Sequence, residues 1–229
     1  MMIRPGDRIL LGVSGGADSL ALLKFLKDGF IHVTNEFSLM AVYIDLGFKE
    51  DGVKLSENLE RLFQESNVEY RIVHTKISQK AFAVDAKKNP CFICSQYRRK
   101  AMYEAAHENR CNKIAYGHHK DDIIETLLIN ILFGRKIEAM YPVQKIFKGK
   151  MHIIRPFLYI EEALIKELAL EYRFPQFPRL CPADGKTRRQ KIKSIIEKLQ
   201  SEEKNANIRQ NVFNSLFHVN VDFTSIKGK

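Results

Sequence analysis

No run of apolar residues in this 229-residue sequence approaches the roughly twenty that a membrane-spanning helix needs. The opening Met1-Met2-Ile3-Arg4-Pro5-Gly6-Asp7 has no apolar core followed by a cleavage site, so a cytoplasmic protein with no membrane association is expected. Cysteine is scarce too: four thiols without a secretory signal do not make a disulfide framework and point to metal, redox or buried roles. Internal repeats and low-complexity segments are absent. Acidic residues are in deficit, 27 against 37 Lys plus Arg, and the resulting formal charge of +10 favours a polyanionic partner, nucleic acid first. The 45% hydrophobic content suffices for one core, or one core with a small appendage.

What is present is a regular alternation. Ile9-Leu10-Leu11-Gly12-Val13 has the length of a fully buried strand, and a helix follows from Ser19 to Lys27. Leu39 to Asp45 predicts a second buried strand. Lys54 to Ser66 predicts an amphipathic helix with Leu55, Leu59, Leu62 and Phe63 on one face. Strands at Tyr70–His74 and Lys113–Tyr116 follow, with a helix to Asn109 between them and another over 122–133. The pattern predicts an α/β fold with a doubly wound, mainly parallel sheet and right-handed crossovers. From Met151 the pattern loosens: a short strand at His152–Ile154, a helix over 161–172, a Pro-broken loop over 174–182 and a basic, polar helix. The expected division is an α/β domain over 1–150, and a small helical C-terminal extension over 151–229 that completes the sheet and carries Cys181 and a basic helix.

Ser14-Gly15-Gly16-Ala17-Asp18-Ser19 lies where the first strand gives way to a helix, so turn amides and the helix's positive end converge on an anion. The lysine of a Walker loop is missing, and so is the Gly-x-Gly-x-x-Gly spacing of dinucleotide folds. The segment resembles the signature of the PP-loop ATP pyrophosphatases, a family that splits ATP between the α- and β-phosphates and usually adenylates its substrate. The resemblance implies ATP on Ser14 to Ser19, with Asp18 holding Mg²⁺ or orienting phosphates. Asp45 ends the second strand, where nucleotides bind in open α/β sheets; a turn cap explains it nearly as well.

Gly117-His118-His119-Lys120-Asp121-Asp122-Ile123-Ile124-Glu125-Thr126 begins at the end of the fourth strand. Asp122 with Glu125 predicts a capping box, but two histidines beside two aspartates also suit catalysis. The stretch resembles a block of the tRNA-modifying branch of the same family, which assigns Gly117 and His118 to ATP and Asp121 or Asp122 to metal binding or proton transfer.

Cys91 and Cys94 stand at a predicted helix start before Arg98-Arg99-Lys100, where dipole and guanidinium groups favour thiolates. The pair alone is ambiguous among zinc, thiol exchange and an iron–sulfur cluster. Cys111 is expected to be a small, partly buried residue. Together with Ile154-Arg155-Pro156-Phe157 and Asn211-Val212-Phe213-Asn214-Ser215-Leu216, these residues resemble the tRNA 2-thiocytidine synthetase family. That resemblance implies a [4Fe–4S] cluster on Cys91, Cys94 and Cys181, with one iron open to a sulfur species. The family often carries a late Cys-x-x-Cys; here Pro178 holds its first position and Cys181 is the surviving thiol. Zinc-binding cysteine clusters of the 2-thiouridine branch are absent.

The expected activity is ATP-dependent tRNA thiolation, with a pyrimidine 2-keto oxygen, most readily that of cytidine, adenylated and then replaced by sulfur. Asp121, Asp122 and Arg98 form the expected catalytic set. Arg99, Lys100, Arg188 and Arg189 are the expected tRNA contacts, although each basic run also suits a solvated helix face. A sulfur donor, either a cysteine desulfurase or free sulfide, is implied, and a homodimer is compatible with the sequence. Two alternatives stand beside this reading: an adenylating ligase of the lysidine- or amide-forming type, in which the cysteines are dispensable, and a sensing module that binds nucleotide and metal without turnover.

Overall fold

Ile9, Leu10 and Leu11 are fully buried in β1 (Arg8–Gly12), as a strand covered on both faces requires. The computed structural model describes residues 2–29, 37–83 and 89–220. The chain continues through α1 (Ala17–Lys27), β2 (Ser38–Asp45), α2 (Lys49–Glu65), β3 (Glu69–His74), α3 (Ile77–Ala81), α4 (Pro90–Glu108) and β4 (Lys113–Ala115). It then forms α5 (Lys120–Gly134), β5 (Val143–Ile146), β6 (Met151–Ile154), α6 (Glu162–Glu171), α7 (Arg188–Glu202) and α8 (Ile208–Ser215).

Among the described residues six strands form one sheet in the order β3-β2-β1-β4-β6-β5. All neighbours pair in parallel except β5, which is antiparallel to β6. Strand alternation sorts the core into two layers. Ile9, Leu11, Ala41, Tyr43 and Ala115 point to the side packed with α1, α2 and Phe157. Leu10, Met40, Val42, Ile44 and Ile114 point to the side packed with Ile77 and with Ala101, Met102, Ala105 and Ala106 of α4. The expected α/β fold with a mainly parallel sheet is the one found. The antiparallel edge strand β5 was not foreseen, because Val143, Gln144 and Lys145 are exposed and carry no buried-strand pattern.

The strands fix one functional edge. The carboxyl ends of β1, β2, β3, β4 and β6 lead into Val13, Leu46, Thr75, Tyr116 and Arg155 on the same side of the sheet. At the opposite edge Lys113 and Asp7 form a buried ion pair, and Lys113 also donates to the Met2 carbonyl at 2.8 Å.

Two compact units emerge. The first comprises Met1–His119 and Tyr141–Asp184 and contains the whole sheet; the second comprises Lys120–Met140 and Gly185–Lys229. In the second, α7 and α8 pack against α5 and bury Ile123, Ile124, Leu127, Ile192, Ile196 and Phe213. Residue 150, the division expected from sequence, falls between the paired strands β5 and β6. Among the described residues no helix is long and apolar enough to cross a membrane.

Candidate nucleotide and thiol site

The loop after β1 is tied internally by its own serines. Ser19 donates its hydroxyl to the Gly16 carbonyl at 2.8 Å and accepts from the Ser14 amide at 3.1 Å. Gly16 is the N-cap of α1 and offers no side-chain oxygen to the first amides, so the helix start at Ala17 and Asp18 suits an external anion. Gly15 takes φ +85°, and a methyl there would meet Phe177 Cδ2 at 3.1 Å. The Pro-broken loop after α6 therefore passes beside the phosphate loop. Gly117, after β4, backs directly onto it: an added Cβ would lie 2.7 Å from the Asp18 carbonyl oxygen and 3.2 Å from the Ser19 amide.

Asp45 closes β2 as a buried carboxylate. Its Oδ1 accepts from the Gly47 amide at 2.9 Å, and its Oδ2 lies 2.9 Å from Nδ1 of the exposed His74. These bonds fix a turn, as the capping alternative expected, and leave Asp45 at the same carboxyl edge. The next carboxylate along the edge is Asp18, whose Oδ1 stands 3.9 Å from Nε2 of the buried His119. His118 faces differently: its Nδ1 accepts from Arg155 Nε at 3.3 Å, which leaves the ring proton on Nε2. Arg155, itself buried, also donates to the Tyr141 carbonyl at 2.6 Å.

Asn89 caps α4 by accepting from the Cys91 amide at 2.9 Å, with Pro90 in the first turn. Cys91 is exposed, and Cys94 and Cys181 are half-buried. Burial pushes the Cys94 thiol above its usual 9.0; Arg98 opposes this, and the neighbouring thiols of Cys181 and Cys91 add to it. For Cys94 desolvation thus outweighs the Arg98 guanidinium and works against the thiolate expected at this helix start. The same influences bring all three expected thiols into one neighbourhood. Three cysteines form a soft donor set suited to iron and sulfur, although no group of three His, Cys, Asp or Glu among the described residues is already drawn to metal-ligand distances. Arg98 also opposes the rise of the Tyr43 and Tyr116 phenols, which burial first of all pushes up to about 12, so its charge is felt both in β2 and just after β4. Arg99 and Lys100 are exposed. Cys111 is buried and donates weakly to the Asn109 carbonyl, consistent with a packing role.

In the second unit, α5 begins at Lys120, two residues before the Asp122 that the capping box required. Asp122 lies in the first turn, and instead of capping it pairs with Arg189 of α7, whose Nη1 also reaches Glu125 Oε2 at 3.3 Å. Asp121 Oδ1 pairs with Arg209 of α8 at 3.0 Å, and Lys120 donates to Gln210 at 2.6 Å. Arg189, expected on RNA, is engaged with carboxylates, whereas Arg188 stacks 4.7 Å from the Phe133 ring.

The family model for the PP-loop domain matches residues 2–199. A tRNA-cytidine(32) 2-sulfurtransferase of Anaeromyxobacter sp. is 36% identical over 220 residues, covering 95% of this chain and 71% of the relative. Its counterpart from Dechloromonas aromatica is 38% identical over 202 residues, covering 86% of this chain and 68% of the relative. The chain belongs to the PP-loop tRNA-cytidine 2-sulfurtransferase family. The fold also matches that of the U34-tRNA thiolase NcsA from Methanococcus maripaludis, solved with its [4Fe-4S] cluster, at a TM-score of 0.75, 23% identity, 99% of this chain and 77% of that one.

For a PP-loop sulfurtransferase family member, sequence reasoning omitted three residues that lie at this edge. His119 was passed over in favour of His118, although the doublet marked both. Arg155 was visible only as part of a resembling motif. Phe177 had no signal, because an aromatic in a Pro-broken loop gives no periodicity.

Proposed function

We propose that this protein is an ATP-dependent tRNA thiolase that replaces the 2-keto oxygen of a cytidine with sulfur. The observation that carries the reading is the common neighbourhood of Cys91, Cys94 and Cys181 in the unit that bears the Ser14–Ser19 loop, in a chain of this family. The loop amides and the start of α1 bind the pyrophosphate of ATP, and Asp18 provides a carboxylate oxygen for Mg²⁺. Gly117 keeps the β4 turn close enough to hold the loop in shape, while Asp45 and His118 line the nucleotide. The base oxygen attacks the α-phosphate, the bond to pyrophosphate breaks, and Arg98 balances the charge that develops there. A sulfide-level nucleophile then adds at C2, and AMP leaves with the former base oxygen. When bound to Cys91, Cys94 and Cys181, a [4Fe–4S] cluster supplies an iron able to carry that sulfur.

Asp121 and Asp122 are assigned to metal binding or proton transfer, which requires Arg209 and Arg189 to yield them. Arg99, Lys100 and Arg188 are assigned to tRNA phosphates, and Arg189 to positioning Asp122 and Glu125. Either a cysteine desulfurase or free sulfide fits as donor. ATP and tRNA as substrates fit a cytoplasmic protein.

The test is anaerobic reconstitution with iron and sulfide, followed by incubation with ATP and tRNA lacking 2-thiocytidine. Mass spectrometry of nucleosides should detect 2-thiocytidine, with pyrophosphate released in step. Cys91→Ser, Cys94→Ser and Cys181→Ser should each abolish it. Absence of sulfur in the RNA sinks the reading, and full activity of the cysteine variants moves the protein to the adenylating-ligase alternative.

A further inference from the structure

The helix that carries Cys91 and Cys94 also borders a groove of which the proposed chemistry uses only Lys100. Counting 3.6 residues per turn, Lys100 and Glu104 of α4 face well away from Cys91 and Arg98, while Tyr97 and Ala101 lie between those two and Cys94. Tyr97, Lys100, Ala101 and Glu104 meet at one surface. That surface lines the groove, of about 190 Å³ in the first unit, closed by Thr75, Lys76 and Lys80 from the end of β3 and from α3. Thr75 directly follows β3, so the groove opens at the functional edge of the sheet. Tyr97 lies one helical turn from Cys94, about 4.5 Å along the axis.

The chemistry of this groove is that of a nucleic-acid cradle. Three lysines face one carboxylate, and that carboxylate, Glu104, is already 3.6 Å from the Lys100 ammonium. Lys76 and Lys80 are exposed, and Lys80 Nζ sits 4.8 Å from the centre of the Tyr97 ring. Tyr97 remains 39% exposed, and Phe92, between the two cysteines, 46%. Exposed aromatic rings interleaved with ammonium groups stack unpaired bases while the cations take the adjoining phosphates.

We propose that Lys76, Lys80 and Tyr97 form the surface that holds the single-stranded RNA segment next to the target base, phosphates on the lysines and a base against the tyrosine. The proposal rests on the tRNA-thiolation reading and extends it to residues outside the Arg99, Lys100 and Arg188 set. A neighbouring base held one turn from Cys94 sets the register in which the target cytidine is presented.

The test compares full-length wild type, Lys76→Gln/Lys80→Gln and Tyr97→Leu for binding of unmodified tRNA by fluorescence anisotropy between 50 and 200 mM salt, with thermal melts as the folding control. With each lost phosphate contact lowering the salt slope by about 0.8, the wild type should lose about ninefold more affinity over that range than the double variant. Tyr97→Leu should weaken binding by about fivefold or more with the salt slope preserved. If the wild type thiolates cytidine while the double variant keeps its affinity and slope, this surface is wrong and the tRNA reading stands. Loss of thiolation in the double variant with a protein sulfur donor, but not with free sulfide and at unchanged tRNA affinity, would assign the groove to an acidic donor protein and overturn the proposal. A wild type without measurable tRNA affinity would overturn both.

Discussion

Replacing Gly117 with alanine should damage ATP binding without touching any side chain at the site. Gly117 is not among the positive-φ glycines, so a methyl group is acceptable to its own backbone. The obstacle is across the gap, where the new Cβ would lie 2.7 Å from the Asp18 carbonyl oxygen and 2.9 Å from its carbon. These are backbone atoms at the first turn of α1 and cannot swing aside as a side-chain end would. To restore the 3.4 Å at which ordinary contact begins, the helix start or the β4 turn must retreat by about 0.7 Å. Overpacking of this kind costs about 1–3 kcal/mol. At about 2–4 °C per kcal/mol for a chain of this size, the melting temperature should fall by about 2–12 °C. The larger effect is on the phosphate-binding amides, because displacement approaching 1 Å at a positioned site costs up to about a hundredfold. Calorimetric titration of ATP should show affinity reduced tenfold or more. Gly134→Ala is the control, since its methyl would meet only Asn130, at 3.6 Å and beyond. ATP affinity of Gly117→Ala within a factor of two of the wild type would refute the reasoning.

Arg189→Ala should destabilise the second unit by about 1–2 kcal/mol, a figure discounted because the Arg189 side chain is 41% exposed; urea melts in which Arg189→Lys fails to recover part of the loss would contradict the pairing. Asp7 should govern acid stability. Burial raises its carboxyl, but Lys113, the Arg4 amide and Asn112 outweigh that and hold it below its ordinary 3.8. Its contribution is therefore complete above pH 3.8 and lost as pH falls through the lower folded value. Melting temperature measured from pH 6 to pH 2.5 should drop less steeply for Asp7→Asn; identical curves would exclude the role. The raised Cys94 thiol should make its alkylation by iodoacetamide in metal-free protein slow at pH 8, and Arg98→Leu should slow it further. Peptide mass spectrometry at timed intervals checks this, and faster modification in the variant would overturn the assignment of Arg98.

The buried strands were legible because parallel strands covered on both faces must be written as apolar runs, and Ile9–Leu11 and Met40–Ile44 are. The phosphate loop was legible because a strand-to-helix turn that must approach an anion needs glycine where Gly15 stands at φ +85°. The ion pairing at the start of α5 was not legible, for a physical reason. Asp122 and Glu125 have the spacing of a capping box, but their partner Arg189 lies 67 residues from Asp122, and no local pattern records such a pairing. β5 escaped because an exposed antiparallel edge strand is specified by its neighbour, not by its own alternation. Cys181 could be joined to the other thiols only by resemblance, since nothing in a Pro-broken loop reveals where it lands.

The second unit is discontinuous, with Lys120–Met140 inserted between two segments of the first and its remaining helices at the end of the chain. Truncation before Gly185 would keep all six strands, the phosphate loop and Cys181 yet remove both arginines that balance Asp121, Asp122 and Glu125. Three carboxylates within five residues would then lose the cations that offset their mutual repulsion. Arg189 lies 67 residues beyond Asp122 and Arg209 88 residues beyond Asp121, so during synthesis the start of α5 acquires these counter-charges only after every strand of the sheet has emerged.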